Sequence, residues 1–168
     1  MNPVLLVVAA FVAMEPITYA AHRWVMHGPG MVLHRSHHRA SRLDGARGLE
    51  ANDGFPVMFA SIVGAAMAIG FNVDGWFWLV WIGIGVTSYG MAYAMVHDVY
   101  VHRRLRILDR FVPVRGMEYL AAAHLEHHRG GGEPYGMLAP TIRPSRVRRR
   151  VQRNAASGST PSQLPLDA

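Results

Sequence analysis

Cysteine is absent from this chain of 168 residues, and so is lysine. Without cysteine there is no disulfide, no iron–sulfur cluster and no thiolate-ligated haem, so any metal site must use imidazole or oxygen ligands. Arginine alone carries positive charge, seventeen residues in all. Its distribution has gaps: every arginine falls in residues 23–47 or 103–153. Carboxylates near the histidines are few, namely Glu15, Asp98 and Glu126, which excludes the glutamate-rich ligand set of soluble di-iron bundles. The chain shows no internal repeat at solenoid-like periods.

What is present is histidine in an ordered pattern. All ten histidines fall into four clusters: His22-x4-His27, His34-x2-His37-His38, His97-x4-His102 and His124-x2-His127-His128. A lone histidine would read as a surface or hydrogen-bonded residue, but a pattern that uses every one of them points to metal. The i, i+3, i+4 spacing of the second and fourth clusters puts three imidazoles within an arc of roughly 100°, so one helix face can present three ligands. The i, i+5 pairs lie about 140° apart on an ideal helix. They suit a helix end whose last turn loosens, and Gly28, Pro29 and Gly30 follow the first pair directly. Imidazole suits zinc, copper, iron or nickel. A structural zinc takes four ligands and a catalytic one usually three, so ten imidazoles predict two ions in one site.

The apolar residues lie in blocks. Residues 76–96 carry no charge and are long enough to span about 30 Å of hydrocarbon. Residues 55–71 are also uncharged, and the short link from Asn72 to Gly75 makes the two a helical hairpin. Residues 3–21 form a third span, interrupted by Glu15 and Pro16. A cleaved signal peptide would need a basic leader, which is missing, so this span reads as retained. A helix over about residues 116–129 is too short to cross and carries the last histidine cluster. Small residues such as Gly64-Ala65-Ala66-Met67 and Gly90-Met91-Ala92 either pack helices closely or line a groove, close packing being the expected role for most.

The predicted fold is therefore all-α: a small integral membrane helical domain with about three spanning helices and cytoplasmic-side helices carrying a polyhistidine di-metal site. By the positive-inside rule both arginine-bearing segments face the cytoplasm, which puts every histidine cluster on that side of the cell inner membrane. Topology thereby explains the net charge of +6, and a nucleic-acid partner is not expected. Residues 1–140 are expected to be the membrane-embedded catalytic domain and residues 141–168 a basic, then Ser/Pro/Ala-rich, disordered tail.

A polyhistidine pair of ions at the membrane edge suits oxidation of a lipid-soluble substrate by O2, for which iron is redox-active and zinc is not. The residues around the histidines carry a closer likeness: His22-Arg23-Trp24-Val25-Met26-His27-Gly28, Ser36 within the second box, Glu50-x-Asn52-Asp53, Tyr89-Gly90, Met95-Val96-His97-Asp98 and Tyr135-Gly136-Met137-Leu138-x-Pro140. In order through residues 14–140 the chain resembles the bacterial β-carotene 3-hydroxylases of the fatty acid hydroxylase superfamily. The resemblance implies non-haem iron, two ions per chain, held among His22, His27, His34, His37, His38, His97, His102, His124, His127 and His128, with Glu15, Asn52, Asp53 and Asp98 supporting them. It also implies β-carotene or a related β-ring carotenoid as substrate, O2, and reduced ferredoxin as electron donor. The expected products of hydroxylation at C3 of the β-ionone rings are β-cryptoxanthin and then zeaxanthin. Another membrane lipid as substrate, or a non-enzymatic membrane metal carrier, are the alternative readings. Arg103, Arg104 and Arg106 form the expected basic docking surface for an acidic electron donor, unless they only anchor the domain to anionic lipid.

Overall fold

The computed structural model describes residues 2–38, 49–104, 115–130 and 132–140. The tail expected over residues 141–168 lies outside them, as does Arg106. Among the described residues every regular element is helical. Helix α1 (Pro3–Ala20) begins with Asn2, whose side chain accepts from the Val4 and Leu5 amides at 2.9 and 3.4 Å, with a proline at the first position. That is a favoured start, since the side chain satisfies otherwise orphaned N–H groups. Helix α2 (Met31–His34) is a single turn. Helices α3 (Gly54–Asn72) and α4 (Trp78–Ala94) form the expected hairpin, and α5 (Arg115–Gly130) follows. Gly75 turns the hairpin link with φ +80°, a conformation that costs glycine little.

Three helical stretches are long and apolar enough to cross a membrane: Pro3–Met26, Ala51–Asn72 and Trp78–Val101. Their outward side chains are exposed and apolar, among them Val4, Val12, Val57, Ile62 and Met91, as expected of a surface solvated by lipid tails. Helix α4 is the central member, with α1 on one side and α3 on the other. Its glycines set both distances. A Cβ on Gly85 would lie 2.4 Å from the Val7 carbonyl oxygen of α1, and one on Gly83 would lie 2.3 Å from Met67 of α3. Gly64 and Gly90, singled out in the sequence, meet nothing within 4 Å. The close packing expected of small residues is thus found, but at Gly83 and Gly85.

Because α1 and α4 run the same way and α3 runs against them, the end of α1, the start of α3 and the end of α4 meet at one end of the bundle. Helix α5 packs there, its Ala121, Ala122 and Ala123 almost fully buried and Ala121 grouped with Val96, Val101 and Met137. Gly85→Ala should therefore force α1 from α4 and cost about 1–3 kcal/mol as overpacking does. Gly90→Ala should be neutral or stabilising by up to about 1 kcal/mol through helix propensity. Thermal unfolding in detergent reads both, and equal midpoints would contradict the assigned contact.

Candidate metal centre

The i, i+5 histidine pairs are brought together by a local change of helix type. Helix α1 runs directly into a π-helical turn, Ala21–Met26, and α4 into another, Met95–Val101. The defining i→i+5 hydrogen bond joins the two histidines of each pair: the His27 amide donates to the His22 carbonyl at 3.0 Å, and the His102 amide to the His97 carbonyl at 2.9 Å. The wider turn of a π-helix swings the fifth residue back over the first, and such turns concentrate at functional sites. The sequence expectation was a loosened α-helical end. A π turn is that loosening in a defined geometry.

The two triple clusters behave differently from a single three-ligand face. In each, the i and i+4 histidines stay together and the i+3 histidine crosses to the other group. His34 and His38 approach through Nε2 at 3.1 Å, as do His124 and His128 at 2.9 Å. His127 of the fourth cluster turns instead to His27 at 3.0 Å, and His37 of the second turns to His97 and His128 at 2.9 and 3.2 Å. Two compact sets result: His22, His27, His34, His38 and His127, and His37, His102, His124 and His128, the nitrogens of each set lying within 4.8 Å of one another. His97 stands beside the second set through His37. The first set draws on a π-turn pair, an i/i+4 pair and the crossing member of the other triple, and the second does the same once His97 beside it is counted, which relates them by an approximate two-fold. Mutual neighbours seal them: His37, His97, His102 and His127 are all buried, and the Tyr93 ring stacks on His97 at 5.1 Å.

The outward nitrogens decide what lies within. His22 Nδ1 is 2.9 Å from the Tyr135 carbonyl oxygen, His34 Nδ1 2.7 Å from Asn52 Oδ1, and His127 Nδ1 reaches the Gly132 carbonyl. Each oxygen can only accept, so each Nδ1 carries the hydrogen and each Nε2 presents a lone pair. The His22 and His34 Nε2 atoms, 3.1 Å apart, then face one another lone pair to lone pair, which repels unless a cation sits between them. Protons do not fill that role readily. Burial pushes His34 and His127 down to about 4, against the Asn52 and Gly132 hydrogen bonds, and pushes His38 down to about 3 with help from neighbouring His127. Burial likewise lowers His124 and His128, their histidine neighbours adding to it. Neutral imidazoles with converging lone pairs and anchored far nitrogens fit a transition metal ion.

Of the supporting residues expected from sequence, Asn52 receives the His34 Nδ1–H and Asp98 lies 3.2 Å from His97 Nδ1. Asp53 and Glu15 act at one remove. Asp53 holds Arg104 through two contacts of 2.7 Å, and Arg104 in turn reaches Asp98 at 3.2 Å. Arg104 is thereby tied inside the site and withdrawn from the docking surface expected of it. Glu15 accepts from Tyr89 at 2.6 Å and from the Leu138 and Ala139 amides at 3.2 and 2.8 Å. It fastens residues 132–140, the strap that carries the Tyr135 and Gly132 carbonyls, to the end of α1. Besides the Gly132 carbonyl behind His127, two further participants were not assigned from sequence. Glu50, its side chain 4% exposed, lies 3.7 Å from His37 Nδ1, and the Tyr135 carbonyl serves His22. Both stand in the quoted motifs, but a backbone acceptor leaves no trace in residue type. Beside the strap an open apolar groove of about 610 Å³ is lined by Gly116, Met117, Tyr119, Leu120, Leu138, Ala139 and Pro140.

Membrane-length helices ending in two sets of inward-facing imidazoles define a class, the integral membrane proteins able to hold metal among histidines. The fatty acid hydroxylase family model matches residues 7–142, a span that includes every histidine, and the chain belongs to that family. It is similar to the β-carotene hydroxylase of Paracoccus sp. (strain PC1), 39% identical over 139 residues and 80% of each chain. The β-carotene hydroxylase of Pantoea ananas is 35% identical over 161 residues, 92% of this chain and 87% of that one. That of Pseudescherichia vulneris is 41% identical over 125 residues, 74% of this chain and 66% of its own. No solved structure gives a significant match.

The depressed imidazoles make stability depend on pH in one direction. An unfolded histidine titrates near 6.5, whereas His34 and His127 do so at about 4 when folded, so between those values the unfolded chain binds more protons. Stability present above about pH 6.5 should be lost progressively as pH falls toward 4. Melting of the metal-free protein should drop between pH 7 and 5 and stay flat between 7 and 8. A flat profile across the acid range would contradict the burial of these rings.

Proposed function

We propose that the protein is a β-carotene 3-hydroxylase, an O2-dependent non-haem di-iron monooxygenase converting β-carotene to β-cryptoxanthin and then zeaxanthin. The observation that carries the reading is the double imidazole set at one end of a bundle of membrane-length helices, in a chain similar over most of its length to β-carotene hydroxylases. All ten histidines serve the two ions: the compact sets hold them, and His97 completes the second set. Iron is favoured over zinc because hydroxylation by O2 is a redox reaction. When bound, the pair of irons would supply the activation of O2 that an unactivated C–H bond requires.

The protein's own contribution is to hold, orient and exclude. Neutral imidazoles keep their lone pairs inward at physiological pH, and the acceptors behind His22, His34, His97 and His127 fix the tautomer and tilt of those rings. Glu15 keeps the strap, and with it the Tyr135 carbonyl, in place. The buried alanine face of α5 and the Tyr93 ring keep bulk water from the imidazoles. An apolar substrate reaches the site laterally from the bilayer, and the groove beside the strap lies one turn of α5 from His124. Its size falls within the range of small-molecule sites. Residues 1–140 form the hydroxylase domain. Arginines gathered at the histidine end support a site on the cytoplasmic side of the inner membrane. Reduced ferredoxin is the proposed electron donor, approaching from that side.

Expressed in bacteria that accumulate β-carotene, the chain should yield β-cryptoxanthin and zeaxanthin. Unchanged β-carotene alongside a hydroxylated fatty acyl or sterol-like product would overturn the substrate assignment. The purified protein should hold close to two irons per chain. Consistent recovery of zinc alone, without iron-dependent activity, would sink the di-iron reading. Replacing His37, His38, His127 or His128 by Ala should abolish conversion while membrane insertion persists, a loss well beyond the roughly 10–100-fold expected for residues behind the ligands. Normal pigment conversion in two of the four would show that the ligand assignment is wrong.

A further inference from the structure

The approximate two-fold that relates the imidazole sets is broken at two pairs of equivalent rings by the charge of the group behind them. His22 and His97 occupy equivalent positions, each the first member of a π-turn pair. Behind His22 is the neutral Tyr135 carbonyl at 2.9 Å; behind His97 is the Asp98 carboxylate at 3.2 Å. His127 and His37 are likewise equivalent, each the crossing member of a triple. Behind His127 is the Gly132 carbonyl, whereas His37 faces the Glu50 carboxylate at 3.7 Å, both of those side chains about 95% buried. His34, in the first set, rests on the neutral Asn52 amide. Glu133, an acidic residue on the first set's side, is engaged at the surface by Arg23 and Tyr19.

The contrast is concentrated in one short segment. Glu50 and Asn52 stand two residues apart around the turn Ala51–Asp53, which leads into α3. One side chain faces each set: Glu50 toward His37 and Asn52 toward His34. The next residue, Asp53, grips Arg104 at 2.7 Å, and Arg104 holds Asp98 at 3.2 Å behind His97. Both carboxylates behind the second set are therefore positioned by the same few residues.

The Asp98 carboxylate, within hydrogen-bond distance, draws the His97 Nδ1 hydrogen toward itself and raises the electron density at Nε2; Glu50, beyond hydrogen-bond reach of His37, acts by adding negative charge near a bound cation. A carbonyl or amide does so much more weakly. Partners of this kind typically change metal affinity by about 10–100-fold. From this we infer that the two metal positions are inequivalent. The set containing His37, His102, His124 and His128, with His97 beside it, binds the first and more tightly held ion, and Glu50 against Asn52 sets the order. Both are positioning residues that act through His37 and His34. The inference rests on the two-ion reading above.

Anaerobic titration of the full-length, detergent-solubilised apoprotein with Fe(II) tests it without any turnover. The native chain should take up two ions in two resolved phases. Glu50→Gln, nearly isosteric, should weaken the tighter phase by about 10–100-fold and leave the weaker one unchanged. Asn52→Asp should tighten the weaker phase and draw the two together. The double change Glu50→Gln with Asn52→Asp should favour the His34 set, so that His38→Ala then removes the first phase instead of the second. Two ions bound in a single phase by the native chain would overturn the inference while leaving the two-ion reading intact. Equal weakening of both phases in Glu50→Gln, with no effect of Asn52→Asp, would overturn it too, reducing Glu50 to a general structural role. Uptake of fewer than two ions would remove the two-ion reading and this inference with it.

Discussion

Converging imidazole lone pairs are the constraint on which the rest of this structure depends. Nitrogens are held 2.9–3.2 Å apart by four separate pieces of chain, and His22 and His34, whose Nδ1 hydrogens are both committed to oxygen acceptors, repel one another through Nε2 unless a cation joins them. Burial lowers the proton affinity of His34, His38 and His127, so a proton is a poor substitute for a metal ion. Most of the other features at this end of the bundle serve to hold rings in an arrangement that they would not adopt alone.

Three devices do this. The π turns align each i, i+5 pair without breaking the helix that bears it, so the ligands inherit the rigidity of α1 and α4. The crossing of His37 and His127 links the sets to both halves of the chain, which means that neither set can form from one half alone. Acceptors then lock the rings from behind. The longest of these chains of support runs from Glu15 in α1 through the strap amides to the Tyr135 carbonyl and His22. A carboxylate in a membrane-length helix is costly to bury unless its oxygens are satisfied, and here two backbone N–H groups and a phenol satisfy it. The same contacts place the apolar groove beside the histidine-bearing turn of α5.

Close helix packing makes the geometry possible. Gly83 and Gly85 lie near opposite faces of α4, Gly85 letting the α1 backbone approach and Gly83 receiving the Met67 side chain of α3, which fixes where the π turns emerge. In lipid such packing substitutes for the hydrophobic drive that holds soluble bundles together. The site's precision therefore originates partly in residues far from any histidine.

Much of this was legible in the sequence because it depends on local periodicity and on composition. The uncharged runs mark the spans, the arginine gaps mark their ends, and four histidine clusters mark a metal site, since these signals come from residue type and spacing alone. The resemblance to a hydroxylase family was carried by residues that stand at the site, such as Asn52, Asp98 and Tyr135. Spacing could not show that each triple divides between two sets, because i, i+3 and i+4 share one face of an ideal helix and only the approach of the other half of the chain pulls the i+3 ring away. Nor could it show that Arg104 turns inward to Asp53 and Asp98, that Glu15 serves the strap, or that Gly85 rather than Gly90 meets a neighbouring helix. Those outcomes belong to tertiary structure, because each depends on which distant group arrives within a few ångströms, and no local pattern of residues encodes that distance.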